Sequence, residues 1–241
     1  MADSKPSKLS KTPQNSPNHT AEPTMNIEQA RFNTIEQQIR PWEVLDQDVL
    51  NLLSIVKREN FVPAVYRELA FVDFEVPLPA GQHMLAPRVE ARTLQELAVK
   101  KHESVLEIGA GSGYMAALLS HRAQRVISVE LRGELVRMAR ANLQRAGITN
   151  VEVREADGAK GLPGEAPFDA IVLSGSVAEV PQALLQQLKV GGRLAAIVGS
   201  DPVMRTTIVT RTGEATFVTE QPWDTSAPRL AHFPEPSRFQ F

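Results

Sequence analysis

Hydrophobic residues recur along this chain with two different periods. In residues 25–40 they fall at helical spacing, with Ile27, Ala30, Phe32 together with Ile35, and then Ile39, which predicts an amphipathic helix. Asp46 is placed to cap a second helix reaching Lys57, with Val49, Leu50, Leu53 and Val56 on one face. A further short segment, FVPAVYRELAF, opens around Pro63 and Tyr66. Residues 76–87, VPLPAGQHMLAP, are punctuated by proline and glycine and read as a loop. Helical spacing returns over residues 88–99 through Val89, Leu94, Leu97 and Ala98.

From Ser104 onward, short apolar runs alternate with amphipathic stretches. SVLEIGAG, RVISVEL, VEVREADG, FDAIVLSG and GRLAAIVG read in turn as five buried strands. Between the second and third, GELVRMARANLQRAG presents Leu135, Met138, Ala139, Leu143 and Ala146 on one face, and Gly147 is suited to stop that helix. Strands alternating with helices at this spacing predict a doubly wound α/β fold, a parallel sheet with right-handed crossovers. After Gly199, TTIVTRTGEATFVTEQP predicts an antiparallel hairpin around Thr212 and Gly213, hence a mixed sheet with an antiparallel edge.

Composition narrows the class. A length of 241 residues suits one α/β domain with extensions, and 42% hydrophobic residues suffice for its core. The formal net charge of −2 provides no global field for nucleic acid, which is not an expected partner. Without cysteine the chain has no disulfides, thiol nucleophile or Cys-ligated zinc. His102, His121 and His232 lack metal-ligand spacing, so no metal is expected. No run approaches the roughly 18 apolar residues of a membrane span. The lysines near the N-terminus are not followed by an apolar segment, so no secretory signal is read there and a cytoplasmic location is expected. Residues 1–24 hold four prolines and a single large aliphatic residue, Leu9, and are expected to be a disordered tail. The expected division is therefore that tail, a helical region and loop over 25–99, and a main domain over 100–241 that includes the hairpin.

Candidate chemistry gathers around VLEIGAGSGYMAALL. A strand runs into a turn carrying Gly109, Gly111 and Gly113 and then into a helix. Ligands of open α/β sheets bind at the carboxyl ends of strands, and glycine there permits close backbone approach. The charge beside the turn selects among ligands. Glu107 stands two residues before Gly109, and a carboxylate there would repel a pyrophosphate but attract a cationic amine or sulfonium. S-adenosylmethionine (SAM) carries both cationic groups and no phosphate, so SAM is the expected cofactor. Glu130 ends the second strand, placed to accept ribose hydroxyls. Asp157 ends the third, placed to accept an adenine amine. Ser174 ends the fourth, beside the expected methyl donor.

These segments resemble the class I SAM-dependent methyltransferases over about residues 100–200: VLEIGAGSGY, Val129-Glu130, Ala156-Asp157-Gly158, FDAIVLSG and LKVGGRL stand in the order of that fold's motifs. The resemblance implies a Rossmann-like, mostly parallel seven-stranded sheet whose last strand is antiparallel, here with an N-terminal helical extension. A narrower similarity rests on IEQQIR, FVPAVYRELAFVDFEVPLPAGQ and FDAIVLSGSVAEVPQALLQQLKVGGRL, and points to the protein-L-isoaspartate O-methyltransferases over most of residues 26–200. It implies methyl transfer to the carboxylate of isoaspartyl residues in damaged proteins, a repair reaction with a protein or peptide partner. A monomer is expected.

In that family the loop before the SAM domain reads Gly-Gln, Thr, an apolar residue, Ser and Gln-Pro, and it holds the acceptor carboxylate. Gly81, Gln82 and Pro87 keep the pattern, whereas His83 stands at the threonine and Leu85 at the serine. Gln82, His83 and Arg88 become the candidate substrate contacts, and His83 the candidate catalytic residue, as donor to a carboxylate or base toward another acceptor. Arg88 is suited to anchor a carboxylate bidentately. A carboxylate acceptor is already ionised and needs no general base. The altered loop leaves two alternatives, a different methyl acceptor or SAM binding without transfer.

Overall fold

The computed structural model describes residues 26–235. The expected tail of residues 1–24 lies outside them. Helix α1, Ile27–Thr34, begins where the Asn26 side chain accepts from the Gln29 backbone amide, and it loosens into a π-helical turn, Ile35–Ile39. Helix α2, Gln47–Ile55, is capped by Asp46, whose carboxylate accepts from Asp48 N at 2.8 Å, and its expected face of Val49, Leu50, Leu53 and Val56 is buried.

The stretch read as a loop is paired instead. Strands β1, Val76–Leu78, and β2, Gln82–Met84, form a small antiparallel hairpin that turns through Ala80 and Gly81, both at positive φ. Three residues per strand are too few to show a period of two, and Pro77 supplies no amide, so the pattern hid the pairing. Helix α3, Pro87–Leu97, follows directly.

The main sheet is built from β3, Ser104–Ile108; β4, Arg125–Glu130; β5, Val151–Glu155; β6, Phe168–Val177; β7, Leu188–Ser200; β8, Val203–Arg211; and β9, Phe217–Asp224. Helices α4, Tyr114–Ser120, α5, Gly133–Arg145, and the short α6, Gln182–Leu185, connect them. The strand order is β5-β4-β3-β6-β7-β8-β9, parallel from β5 through β7. The fold is thus the expected doubly wound, mostly parallel seven-stranded sheet. One detail differs from expectation. The antiparallel partner of β7 is β8, the penultimate strand, and β9 pairs antiparallel with β8, returning to the direction of the parallel set at the edge. Two successive tight reversals make each strand pair with its predecessor. Helix α5 also differs slightly: Leu135, Val136, Ala139, Asn142 and Leu143 are buried, but Ala146 is exposed because the helix ends at Arg145.

Alternation along the strands divides the core in two. Val105, Val126, Val172 and Ala195 face the layer of α3 to α5 and the N-terminal helices, forming one continuous cluster with Leu53, Phe61 and Leu94. Leu106, Ile108, Ile127, Ile171 and Leu194 face the opposite layer with α6 and Phe233. Glu107 has the parity of Val105 and so is carried into the first layer. Among the described residues, no helix is long and apolar enough to cross a membrane.

Candidate active site

The order of strands reverses at β3, since the chain moves to β4 and β5 on one side and then to β6 on the other. A crevice must open above such a point. The turn leaving β3 is tied down by Gly109 N and Ala110 N, which donate to Val129 O at 2.8 and 3.2 Å. Gly109, Gly111 and Gly113 have φ of 95°, 51° and 85°, conformations that side-chain-bearing residues adopt at a cost. The three glycines do different work. Gly109 and Gly111 line the crevice, whereas a Cβ on Gly113 would lie 3.2 Å from Ala139 Cα, so Gly113 lets α5 close against the turn.

The crevice, of about 560 Å³ including its open mouth, is lined by Gly109, Gly111, Glu130, Asp157, Gly158 and Ser174, with Gln82 and His83 reaching it from the β1–β2 hairpin. Glu130 braces the turn: one carboxylate oxygen accepts from Gly111 N at 3.0 Å and the other from Arg132 N at 3.0 Å. Asp157 accepts from Ala159 N at 3.0 Å, and that bond, helped by His232, holds its carboxyl below the ordinary aspartate range. A Cβ on Gly158 would lie 2.4 Å from Ile108 Cγ2, so only glycine lets this turn press against β3.

Glu107 sits deeper. It is fully buried, and it accepts from the Ser128 hydroxyl and, at 2.9 Å, from the Ser174 hydroxyl. Burial pushes its pKa up to about 8, with Glu90 and Glu130 adding to the rise and the two hydroxyls opposing it. It lines a second, adjoining pocket with His83, Leu85, Glu90, Gly109, Gly111, Tyr114 and Ser174.

The structure therefore brings together Gln82, His83, Glu107, Gly109, Gly111, Glu130, Asp157 and Ser174. It leaves two expected residues outside. Gly113 packs on α5 as described. Arg88 is not a free anchor: its Nη1 donates to Asp73 at 2.6 Å and its guanidinium lies 4.2 Å over the Trp42 ring, away from both pockets. Leu85 is buried beside the second pocket and offers no hydroxyl there.

Two features went unread in the sequence. Glu90 is 5% exposed and lines the second pocket; its Oε2 has no hydrogen-bond partner, and Arg58 Nε is 3.5 Å away. Burial raises its pKa to about 7 against the pull of Arg58. The signal was available, because Glu90 shares a helical face with Leu94 and Leu97. The second feature is the segment after β9. It crosses back over the crevice, where Leu230, Ala231 and Phe233 form a wall, and His232 Nδ1 meets Asp157 Oδ2 at 2.8 Å. Nothing periodic in that stretch announces it.

A doubly wound sheet with a glycine turn at its switch point, and acids at or near the ends of three successive strands around a crevice and the pocket adjoining it, defines the class I methyltransferase architecture. Comparison with known proteins then narrows the class. Residues 30–225 match the family described as protein-L-isoaspartate(D-aspartate) O-methyltransferase (PCMT), and the chain belongs to that family. It is 43% identical over 169 residues to the protein-L-isoaspartate O-methyltransferase of Methanoculleus marisnigri, covering 70% of this chain and 77% of that one. Against protein-L-isoaspartate O-methyltransferase 2 of Pelobacter propionicus, identity is 42% over 197 residues, 81% of this chain and 88% of the other. The fold is shared with a Plasmodium falciparum structure described as a β-aspartate methyltransferase (PCMT) in complex with S-adenosyl-L-homocysteine: TM-score 0.71 at 21% identity, covering 86% of this chain and 98% of that one.

Proposed function

We propose that this enzyme uses SAM to methylate the carboxylate of isoaspartyl residues in proteins or peptides. The observation that carries the cofactor half is Glu107: among the described residues, this fully buried carboxyl is bonded to two hydroxyls and paired with no cation. A buried acid of this kind favours a positively charged ligand. The residues fit SAM throughout. Glu107 and the glycine turn would hold the cationic amino-acid end, Glu130 the ribose hydroxyls and Asp157 the adenine amine. When bound, SAM supplies a methyl group on a sulfonium that departs as a neutral thioether.

The protein's part is alignment, which can supply much of the rate. Ser174 fixes the Glu107 carboxyl, Glu130 fixes Gly111, and the β1–β2 hairpin places Gln82 and His83 where the crevice meets the second pocket. Of the hairpin's side chains there, His83 and the Gln82 amide can donate to an incoming carboxylate, whereas Leu85 cannot. We take residues 25–99 as the acceptor-binding region and 100–241 as the cofactor domain, acting as a monomer in the cytoplasm. Purified enzyme is offered methyl-labelled SAM and paired peptides with an isoaspartyl or an ordinary aspartyl residue. Label on the isoaspartyl peptide alone is the expected result. No transfer to it by enzyme that binds S-adenosylhomocysteine would sink the acceptor assignment.

Leu85 and Glu90 favour a second reading of the acceptor. An apolar wall and a carboxylate beside the donor site suit an amine or hydroxyl whose proton Glu90 would take. Methyl esters hydrolyse in mild base and N-methyl groups do not, so base-stable label in a cell extract would select this reading.

A further inference from the structure

The segment after β9 returns to the sheet by specific bonds. Ser176 N donates to Pro228 O at 2.8 Å, Leu230 N donates to Ser176 O at 2.9 Å, and the Ser176 hydroxyl donates to Ala227 O at 2.8 Å. Leu230 fits against bare backbone: a Cβ on Gly175 would lie 2.8 Å from its Cγ, and one on Gly109 would lie 3.1 Å from its Cδ2. The register of this strap is thereby fixed, and it delivers His232 to Asp157.

His232 itself is in the left-handed region, φ 66°, which a non-glycine residue occupies at a cost. It does not line the crevice, whereas Asp157 and its own neighbours Leu230, Ala231 and Phe233 do. An ionised carboxylate only accepts, so Nδ1 is the donor in the 2.8 Å contact with Asp157 Oδ2. The other oxygen, Oδ1, accepts from Ala159 N. Asp157 is thus gripped from two sides, one local and one 75 residues away in sequence. Each oxygen keeps a lone pair for a ligand.

We infer that His232 is a positioning residue for nucleobase recognition, holding the Asp157 carboxylate so that it accepts from an exocyclic amine and discriminates an aminopurine from an oxopurine. This rests on the SAM reading above. It predicts that the strap contributes selectivity through Asp157 as well as cover through Leu230 and Phe233.

The test measures, by calorimetry, the affinity of the full chain for S-adenosylhomocysteine and for its inosine analogue, in which a carbonyl replaces the amine. The wild type is expected to prefer the adenosine form by about tenfold or more. His232→Gly keeps the backbone conformation and removes the ring, so it should weaken the adenosine ligand about threefold to tenfold and leave the inosine ligand nearly unchanged, lowering the ratio. His232→Asn tolerates the same φ, restores a donor and should recover the ratio. Equal weakening of both ligands by His232→Gly, or no change in either, would overturn the inference while leaving the cofactor reading standing. A wild type that binds neither ligand would overturn both.

Discussion

A carboxyl group buried beside two hydroxyls keeps its proton until a positive charge arrives. With its pKa raised from the ordinary 4.5 to about 8, Glu107 is mostly neutral at pH 7 in the ligand-free protein. A cationic ligand would drive that proton off, so SAM binding near neutral pH should release protons, measurable by calorimetry in buffers of different ionisation enthalpy. The same shift acts on stability. A folded-state pKa above the unfolded value contributes stability that is complete below pH about 4.5 and lost as pH rises to about 8. Glu107→Gln removes that loss, so the ligand-free variant should melt above the wild type at pH 9 and level with it near pH 4. It should also bind S-adenosylhomocysteine about tenfold to a hundredfold more weakly, for a charged hydrogen bond of about 1.5–3 kcal/mol. Undiminished affinity would remove Glu107 from the site. Glu107 and Glu130 were legible because each stands at or near the end of an apolar strand run, and Asp157 because it follows the alternating strand VEVRE in an Asp-Gly turn. The partners of Arg88 and Asp157 were not: Asp73 and His232 reach them only after folding, and neither spacing nor composition records such a meeting.

At the scale of elements, the glycine turn couples a strand to two helices. Gly113 combines φ 85° with a Cβ position 3.2 Å from Ala139 Cα, and backbone cannot give way as a flexible side chain can. Gly113→Ala should therefore cost about 1–3 kcal/mol, read as a lowered melting temperature, because it strains the turn and wedges α5 outward. Gly109→Ala carries the same positive-φ strain but its tight contact is only the end of Leu230, and it lines the crevice, so it should cost less stability than Gly113→Ala and more cofactor affinity. Equal stability losses in the two variants would contradict this division. The five parallel strands and the late hairpin were legible because each is long enough to show its period. The β1–β2 hairpin was too short, and the order of the last two strands depends on turn geometry that residue types alone do not fix.

Across the whole molecule, the N-terminal helices share one core with the sheet, and buried ion pairs cross within it. Arg31 pairs with Glu59, while Arg58 Nη2 donates to Leu85 O at 2.8 Å and its Nε lies 3.5 Å from Glu90. Removing one partner of a buried pair leaves an uncompensated charge, at about 3–5 kcal/mol. Arg58→Met should lower the melting temperature, more at pH 9 than at pH 6 because Glu90 is ionised at the higher pH, and adding Glu90→Gln should recover that pH-dependent part; additive losses at pH 9 would show that the two side chains do not interact. Alternation of strands and helices made the α/β class readable from the chain. How the helical region packs together was not readable, because its buried ion pairs, Arg31 with Glu59 and Arg58 with Glu90, join segments that carry no common pattern. The measurement that reaches the central claim most directly is a crystal structure with S-adenosylhomocysteine. The account places its amino-acid end toward Glu107 and the glycine turn, its ribose hydroxyls on Glu130 and its adenine amine on Asp157. Density for the ligand away from these three carboxylates would contradict it.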